Sequence, residues 1–439
     1  MRIVYVGDNR NRGNYGCRGT STALSQLIGS KHEIVGRISG KYTNFDTGEL
    51  YCIKGKKEKF YQRKASHTHW KYEKILLHYY HRFIMRGGKF LFGKYDFASL
   101  DFDRAIEDLI NCLPANPQLK EFDLRQYDFD ALVVNGEGSF IFADPAWRES
   151  VVEAMEMHWA HKLGKKVFYL NGMLSDDPHY PHNQKTIDAM QSVFQACDAV
   201  CVREYHSLEY AKCYFPGITP KLYPDALFTW YDLVNDEHRI TNGKYYIAHS
   251  AESDAAYCDF DFTVPYACIS GSSAIMSACR GDREKAICAY SDLVEEAKSQ
   301  LPCKIYLIQV DEGDDFLIDV SKRTQTQIIS METPLVAAAK ILANAQVYIS
   351  GRYHPAIMAS LGGTPCVFMS SNSHKTASVQ ELLHYDPIIE YDLVPSKEEC
   401  KRIVDAAKMK IMDKTARKRI KERARELSMM AKEMLAIIE

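Results

Sequence analysis

Net charge, long apolar runs and paired cysteines are all scarce in this chain, and each shortage excludes a class of function. Its 55 Lys and Arg stand against 57 Asp and Glu, a formal charge of −2. That balance draws the chain as a whole neither to nucleic acid nor to acidic lipid. A bilayer-spanning helix needs about 20 apolar residues, and no run approaches that. The first residues, Met1-Arg2-Ile3-Val4-Tyr5-Val6-Gly7-Asp8, read as a short strand and glycine turn rather than a leader. Cysteines number 13, an odd and scattered set with no Cys-x-x-Cys pair. This is unlike a disulfide framework or a zinc site, so a reducing cytoplasm is expected. Neither the dinucleotide fingerprint nor the P-loop is found. No convincing His/Asp/Glu metal spacing is visible either, so no metal or other cofactor is expected.

What the sequence has in quantity is short apolar runs alternating with helical patterns. Hydrophobic residues make up 46% of 439 residues, enough for the cores of two ordinary domains. Candidate strands in the first half are Ile3–Val6, Glu33–Arg37, Ala131–Asn135, Lys166–Leu170 and Ala199–Arg203. In the second half they are Tyr245–Ala248, Lys304–Gln309, Val347–Ser350 and Cys366–Met369. Several are almost wholly apolar, as parallel strands covered on both faces must be. The alternation predicts an α/β fold of two Rossmann-like domains with a cleft between them. A polar stretch ending in Thr241-Asn242-Gly243 marks the boundary, giving domains over 1–235 and 236–395. Ser396 with Glu399 reads as a capping box opening C-terminal helices over 396–439.

The richest motif is Gly351-Arg352-Tyr353-His354-Pro355, followed about twenty residues on by Ser373-His374-Lys375. An apolar strand enters it and a helical run, Ala356–Leu361, leaves it, stopped by Gly362-Gly363. Arg352 and His354 are thus placed at a strand's carboxyl end and a helix start, where open α/β sheets bind ligands and where anions are favoured. Lys375 follows the next short strand. Arg203, just past the apolar run Ala199–Val202, is a second candidate anion clamp. Asn135-Gly136-Glu137-Gly138 ends another strand and can aim Glu137 into a cleft. Gly7-Asp8 and the run Gly13-Asn14-Tyr15-Gly16-Cys17 precede a helix expected from about Ser21, and these glycines would let a ligand approach the backbone. Asp225, in Tyr223-Pro224-Asp225, reads as structural.

One region breaks the rhythm. Between Lys54 and Lys94 there are 12 Lys or Arg and 2 Glu, interleaved with aromatics such as Phe60, Trp70, Tyr72 and Phe83. The expectation is an insertion over about 51–125. Its basic part, 54–94, either packs on the first domain or touches the inner membrane face.

In order along nearly the whole chain, these pieces resemble the polysaccharide pyruvyl transferase family. The matching elements are Gly13-Asn14-Tyr15-Gly16, Asn135-Gly136-Glu137-Gly138, Val202-Arg203-Glu204, Pro224-Asp225, Ser350-Gly351-Arg352-Tyr353-His354 and Lys375. The resemblance implies a fold like that of GT-B glycosyltransferases. It also implies transfer of a pyruvyl group from phosphoenolpyruvate to a saccharide, which need not be free and can be lipid-linked. The donor site would map to Arg203, Arg352, His354 and Lys375, with Asn14, Asn135, Gly136 and Gly351 lining the substrate pocket. His354 would be the general acid. One position departs: many members have Gly-Asp where this chain has Gly16-Cys17, so the base would fall to Asp8 or Glu137, or the acceptor is held differently. A GT-B glycosyltransferase using a nucleotide sugar and a non-catalytic sugar-binding relative are the alternatives. No nucleic-acid partner is expected.

Overall fold

The computed structural model describes residues 1–39, 52–53, 94–95, 97–113, 117–177, 180–236, 245–248, 256–258 and 260–439. Apart from Lys94, in a two-residue strand, the basic segment Lys54–Lys94 lies outside them. By contacts the chain falls into two compact units. The first holds Met1–Asp8, Lys31–Val200 and Tyr210–Pro220, and the second holds Asn9–Ser30, Cys201–Glu209 and Lys221–Glu439.

The first unit is built on parallel strands β1 (Arg2–Asp8), β2 (Glu33–Ser39), β3 (Ala131–Asn135) and β4 (Lys166–Gly172), in the order β2-β1-β3-β4. All five residues of β3 are buried, which is why this strand reads as an unbroken apolar run. The chain leaves β1 for β2 on one side, and β3 lies on the other. The topological switch point is therefore outside the carboxyl ends of β1 and β3, where Asp8, Gly136 and Glu137 emerge. Strand β5 (Ala199–Val202) follows β4 in the sheet order, and its last residues, Cys201 and Val202, pair with Lys221 and Leu222 within the second unit.

The second unit has its own sheet: β6 (Tyr245–Ala248), β7 (Ala256–Cys258), β8 (Tyr266–Ser272), β9 (Lys304–Ile308), β10 (Ile328–Ile329), β11 (Tyr348–Gly351) and β12 (Cys366–Phe368). The order is β7-β6-β10-β9-β8-β11-β12, parallel from β10 to β12. Its switch point lies between β8 and β11. Helices α1 (Tyr15–Gly29), α2 (Arg283–Gln300), α3 (Tyr353–Leu361), α4 (Lys375–Leu382), α5 (Lys397–Met412) and α6 (Ala416–Glu433) belong to this unit.

Three expectations change. The boundary is not a single cut near 235: α1 packs on α3 and on the turn Ala226–Trp230, so residues 9–30 join the second unit, and 201–209 join it as well, with Arg203 bonded to Asp225. The C-terminal helices are part of that unit's body, with α5 on α2 and α6 on α3. Helix α1 begins at Tyr15 rather than near Ser21, with Asn14 as its N-cap. Gly16 and Gly19 are therefore helical residues that let α3 come close: a Cβ would lie 2.4 Å from His354 Nδ1 at the first and 2.8 Å from Met358 Cε at the second.

Candidate functional site

In the second unit three stretches far apart in sequence meet on one carboxylate. Strand β11 ends at Gly351, where a Cβ would lie 2.5 Å from the Ser370 carbonyl oxygen and 2.6 Å from Ser272. Only glycine lets β11 lie this close to its neighbours. Arg352 is the N-cap of α3 in extended conformation, and Tyr353, His354 and Pro355 form the first turn. Proline fits there because its absent N–H would have no intrahelical acceptor. The His354 ring then reaches Asp225, with Nε2 3.2 Å from Oδ2. Arg203 Nη1 donates to the same Oδ2 at 2.8 Å and lies 3.1 Å from His354 Nε2.

Asp225 is held on its other side as well. Its Oδ1 accepts from Thr20 Oγ1 at 2.7 Å and from the Leu227 N–H at 2.9 Å, capping the turn Ala226–Trp230. Asp225 is 0% and Arg203 1% exposed. Burial opposes charge on Asp225, yet His354, Arg203 and the Leu227 N–H override it and hold the carboxyl well below the usual carboxylate range. The Arg203 guanidinium also lies over the Tyr353 ring, 4.6 Å from its centroid. Asp225, which reads as structural in the sequence, is thus the hub of the cluster. Its partner His354 is 129 positions away, so local sequence carries no signal of the contact.

Arg352 faces elsewhere. Its Nη1 donates to Asp311 at 3.2 Å and its Nη2 to Asp314 at 2.5 Å. Asp311 in turn accepts from Asn14 Nδ2 at 2.6 Å, so the N-cap of α1 and that of α3 are tied through one carboxylate. Asp314 is fully buried. Burial pushes its carboxyl up to about 6, even though Arg352 pulls it the other way. The Asp311–Asp314 turn carries no motif, and the sequence reading missed both acids.

Lys375 opens α4 and is half-buried. The residue before it, His374, lies 3.2 Å from Glu204, which in turn neighbours Arg203. Glu204 accepts from the Ser207 backbone N–H and, at 3.3 Å, from Ser378 Oγ of α4. Burial works against its charge, and His374 and Ser207 hold its carboxyl below the usual range. Arg203 and the start of α4 are thus joined through adjacent residues, while Arg203 and His354 touch directly.

Of the remaining candidates, Asp8, Asn135, Gly136 and Glu137 lie in the first unit, at the carboxyl ends of β1 and β3. Asp8 is 3.6 Å from Arg37. Asn135 Nδ2 donates to the Gly7 carbonyl at 3.2 Å, and its Oδ1 accepts from Asn171 at 3.0 Å. A Cβ on Gly136 would strike the Tyr169 ring at 2.2 Å. Glu137 is buried. Among the described residues no group of three or more His, Cys, Asp or Glu is arranged to hold a metal ion, and no helix is long and apolar enough to cross a membrane.

The family model of polysaccharide pyruvyl transferase matches residues 87–373, well over half of the chain. The protein belongs to the polysaccharide pyruvyl transferase family. That span of a transferase family includes Arg203, Asp225, Arg352 and His354, while Asn14 precedes it and Lys375 follows it by two residues. A search of curated sequences found no match. Among solved structures, the UDP-GlcNAc 2-epimerase from Neisseria meningitidis bound to UDP-GlcNAc aligns over 100% of this chain and 98% of its own, at TM-score 0.50 and 9% identity. The UDP-GlcNAc 2-epimerase from Methanocaldococcus jannaschii aligns over 98% and 100%, at TM-score 0.47 and 12% identity. A spinosyn rhamnosyltransferase complexed with spinosyn aglycone aligns over 100% of both chains, at TM-score 0.44 and 11% identity. At 9% identity the first likeness bears on fold alone. This family member has the α/β, GT-B-like fold that its sequence leads one to expect.

Proposed function

We propose that the protein moves the pyruvyl group of phosphoenolpyruvate onto two hydroxyls of one sugar in a cell-surface polysaccharide or its precursor, forming a ketal. Within a family of pyruvyl transferases, the observation that supports this reading is the buried contact of Arg203, Asp225 and His354. Phosphoenolpyruvate carries a phosphate and a carboxylate on three carbons, so its pocket needs fixed cations. Arg203, Arg352 and Lys375 serve as these, and Arg352 also ties down the acidic turn Asp311–Asp314.

Protonation of the methylene carbon makes C2 electrophilic, and His354 supplies that proton. A sugar hydroxyl attacks C2, the C2–O bond to phosphate breaks, and a neighbouring hydroxyl closes the ketal. Of the two hydroxyl protons, one restores the proton His354 gave and the other leaves with phosphate. Glu137 or Asp8 takes the attacking hydroxyl's proton first and passes it on, with Asn14, Asn135, Gly136 and Gly351 shaping the substrate pocket. No cofactor enters it. The enzyme would work in the cytoplasm, with residues 54–94 touching acidic lipid at the inner membrane face.

The test is direct. Phosphoenolpyruvate at millimolar concentration should raise the melting temperature, and phosphate should be released once the right saccharide is added. Stabilisation by a nucleotide sugar and none by phosphoenolpyruvate would overturn the proposal in favour of a glycosyltransferase.

A further inference from the structure

Helix α5 is apolar on two faces. Its inner face, with Cys400, Ile403, Val404 and Ala407, is buried, and the helix packs on α2. On its outer face Met409 is 72% and Met412 70% exposed, more than any other large hydrophobic side chain among the described residues. Three positions apart on a helix, the two share one patch of surface.

The charge around them is one-sided. Residues 408–425 run from the last turn of α5 into α6 and hold nine Lys or Arg and two acids, in a chain whose formal charge is −2. Three of these cations work inward. Lys410 lies over the Tyr385 ring, 4.6 Å from its centroid, and Arg417 and Arg423 donate to the carbonyls of Gly362 and Leu382. Lys408, Lys414, Lys418, Arg419 and Arg425 stay exposed. Of the two acids, Asp413 accepts from the Thr415 and Ala416 N–H groups at the start of α6, at 2.9 and 3.2 Å. It also lies 3.7 Å from Arg419, and Glu422 lies 3.9 Å from Lys418. Exposed pairs that long are weak, so both cations can turn to another anion. Among the described residues Lys408 and Lys414 have no carboxylate partner.

The size of the patch separates the partners that such charge could attract. A stable protein interface buries about 800 Å² on each side around an apolar centre, and two methionines ringed by cations are too few for that centre. An acidic bilayer asks for less: a cluster of Lys and Arg to meet the headgroups, and one or two apolar side chains to enter the boundary beneath them. The unbranched thioether of methionine adapts to such a yielding surface.

We infer that the corner between α5 and α6 is a membrane-docking surface, at which Lys408, Lys414, Lys418 and Arg419 meet acidic phospholipid headgroups while Met409 and Met412 enter the boundary beneath them. This surface draws on none of residues 54–94, and it does not rest on the pyruvyl-transfer reading.

Vesicle flotation of the full chain tests it. Wild type should float with phosphatidylcholine vesicles that contain phosphatidylglycerol, stay unbound with phosphatidylcholine alone, and detach as salt is raised. Lys408→Glu, Lys414→Glu and Lys418→Glu together should lower the affinity at least about 10-fold. Met409→Ser with Met412→Ser should lower it about 3-fold or more and leave the salt dependence in place. A second measurement needs no variant. Acidic vesicles should slow peroxide oxidation of Met409 and Met412, read by peptide mass spectrometry, relative to Met429 of α6, which is 53% exposed. The inference is overturned by a wild type that does not float, by unchanged oxidation of both methionines, or by a triple charge variant that binds like wild type, which would assign lipid contact to another surface such as 54–94. Failure of the pyruvyl-transfer reading, seen as no phosphate release from phosphoenolpyruvate, would leave these results standing.

Discussion

Gly16 and Gly29 stand in the same helix, α1, and an added methyl group meets opposite surroundings at the two. At Gly29 nothing lies within 4 Å. Gly29 is the last residue of α1, so Gly29→Ala should be neutral or stabilise the protein by up to about 0.5–1 kcal/mol, the helix-interior value. At Gly16 the new Cβ would lie 2.4 Å from His354 Nδ1 and 2.9 Å from that residue's Cβ and Cγ. The ring cannot yield cheaply, because Asp225 and Arg203 hold its far edge. Overpacking of this kind costs about 1–3 kcal/mol, against a propensity gain near 1 kcal/mol. Gly16→Ala should thus fall about 1–3 kcal/mol below Gly29→Ala in urea unfolding. Its turnover should drop by about 10²-fold or more as the ring leaves Asp225. A Gly16→Ala protein with the stability of Gly29→Ala and wild-type turnover would show that α1 and α3 do not press together as described.

Three further outcomes follow from charge and burial. Arg203→Ala strands the buried Asp225 with less counter-charge and should cost about 3–5 kcal/mol; a loss below 1 kcal/mol in urea titration refutes the buried pair. Arg352→Ala leaves Asp311 and Asp314 facing each other, so its destabilisation should be larger at pH 8 than at pH 5, where Asp314, at about 6, keeps its proton; equal losses at both pH values would contradict this. Glu156 is fully buried in the helix Arg148–Lys162, and burial first, then Asp123 and Glu121, raises its carboxyl well above the usual range. The folded state then binds more protons than the unfolded one as pH rises, so stability falls with pH. Glu156→Gln removes that slope, and its advantage in melting temperature over wild type should grow from pH 5 to pH 8; a constant or shrinking gap refutes it.

Much of the site's frame was legible in the sequence because it rests on local rules. Arg352 and His354 stand at a strand end and helix start, Gly362 closes α3, and Ser396 caps α5 by accepting from the Glu399 N–H. Strand β8 was not legible, although it is central in its sheet and all seven of its residues are buried. Its Ser270, Gly271 and Ser272 interrupt the apolar pattern that marks a buried strand. They are tolerated because Ser270 bonds to the hydroxyls of Tyr348, at 2.5 Å, and Ser350, at 2.7 Å. Glycines near the N-terminus read as a ligand loop because helix packing and backbone approach call for the same residue. The roles of Asp225, Asp311 and Asp314 depend on partners 22 or more positions away, and propensity does not reach that far.

The chain passes between its two units after Asp8, Ser30, Val200, Glu209 and Pro220. On the ribosome this imposes a long wait. Helix α1 is made among the first thirty residues, yet the Tyr15 N–H bonds to the Val310 carbonyl and Gly16 packs on His354. Loop closure over roughly three hundred residues must precede those contacts, a slow and entropically costly step. Until α3 emerges, the buried face of α1 is covered only in part, by the turn Ala226–Trp230, and a face left partly bare is the state in which chains aggregate or recruit chaperones. A fragment ending near residue 235 would remain in that state permanently, so expression of the N-terminal half alone should give insoluble protein.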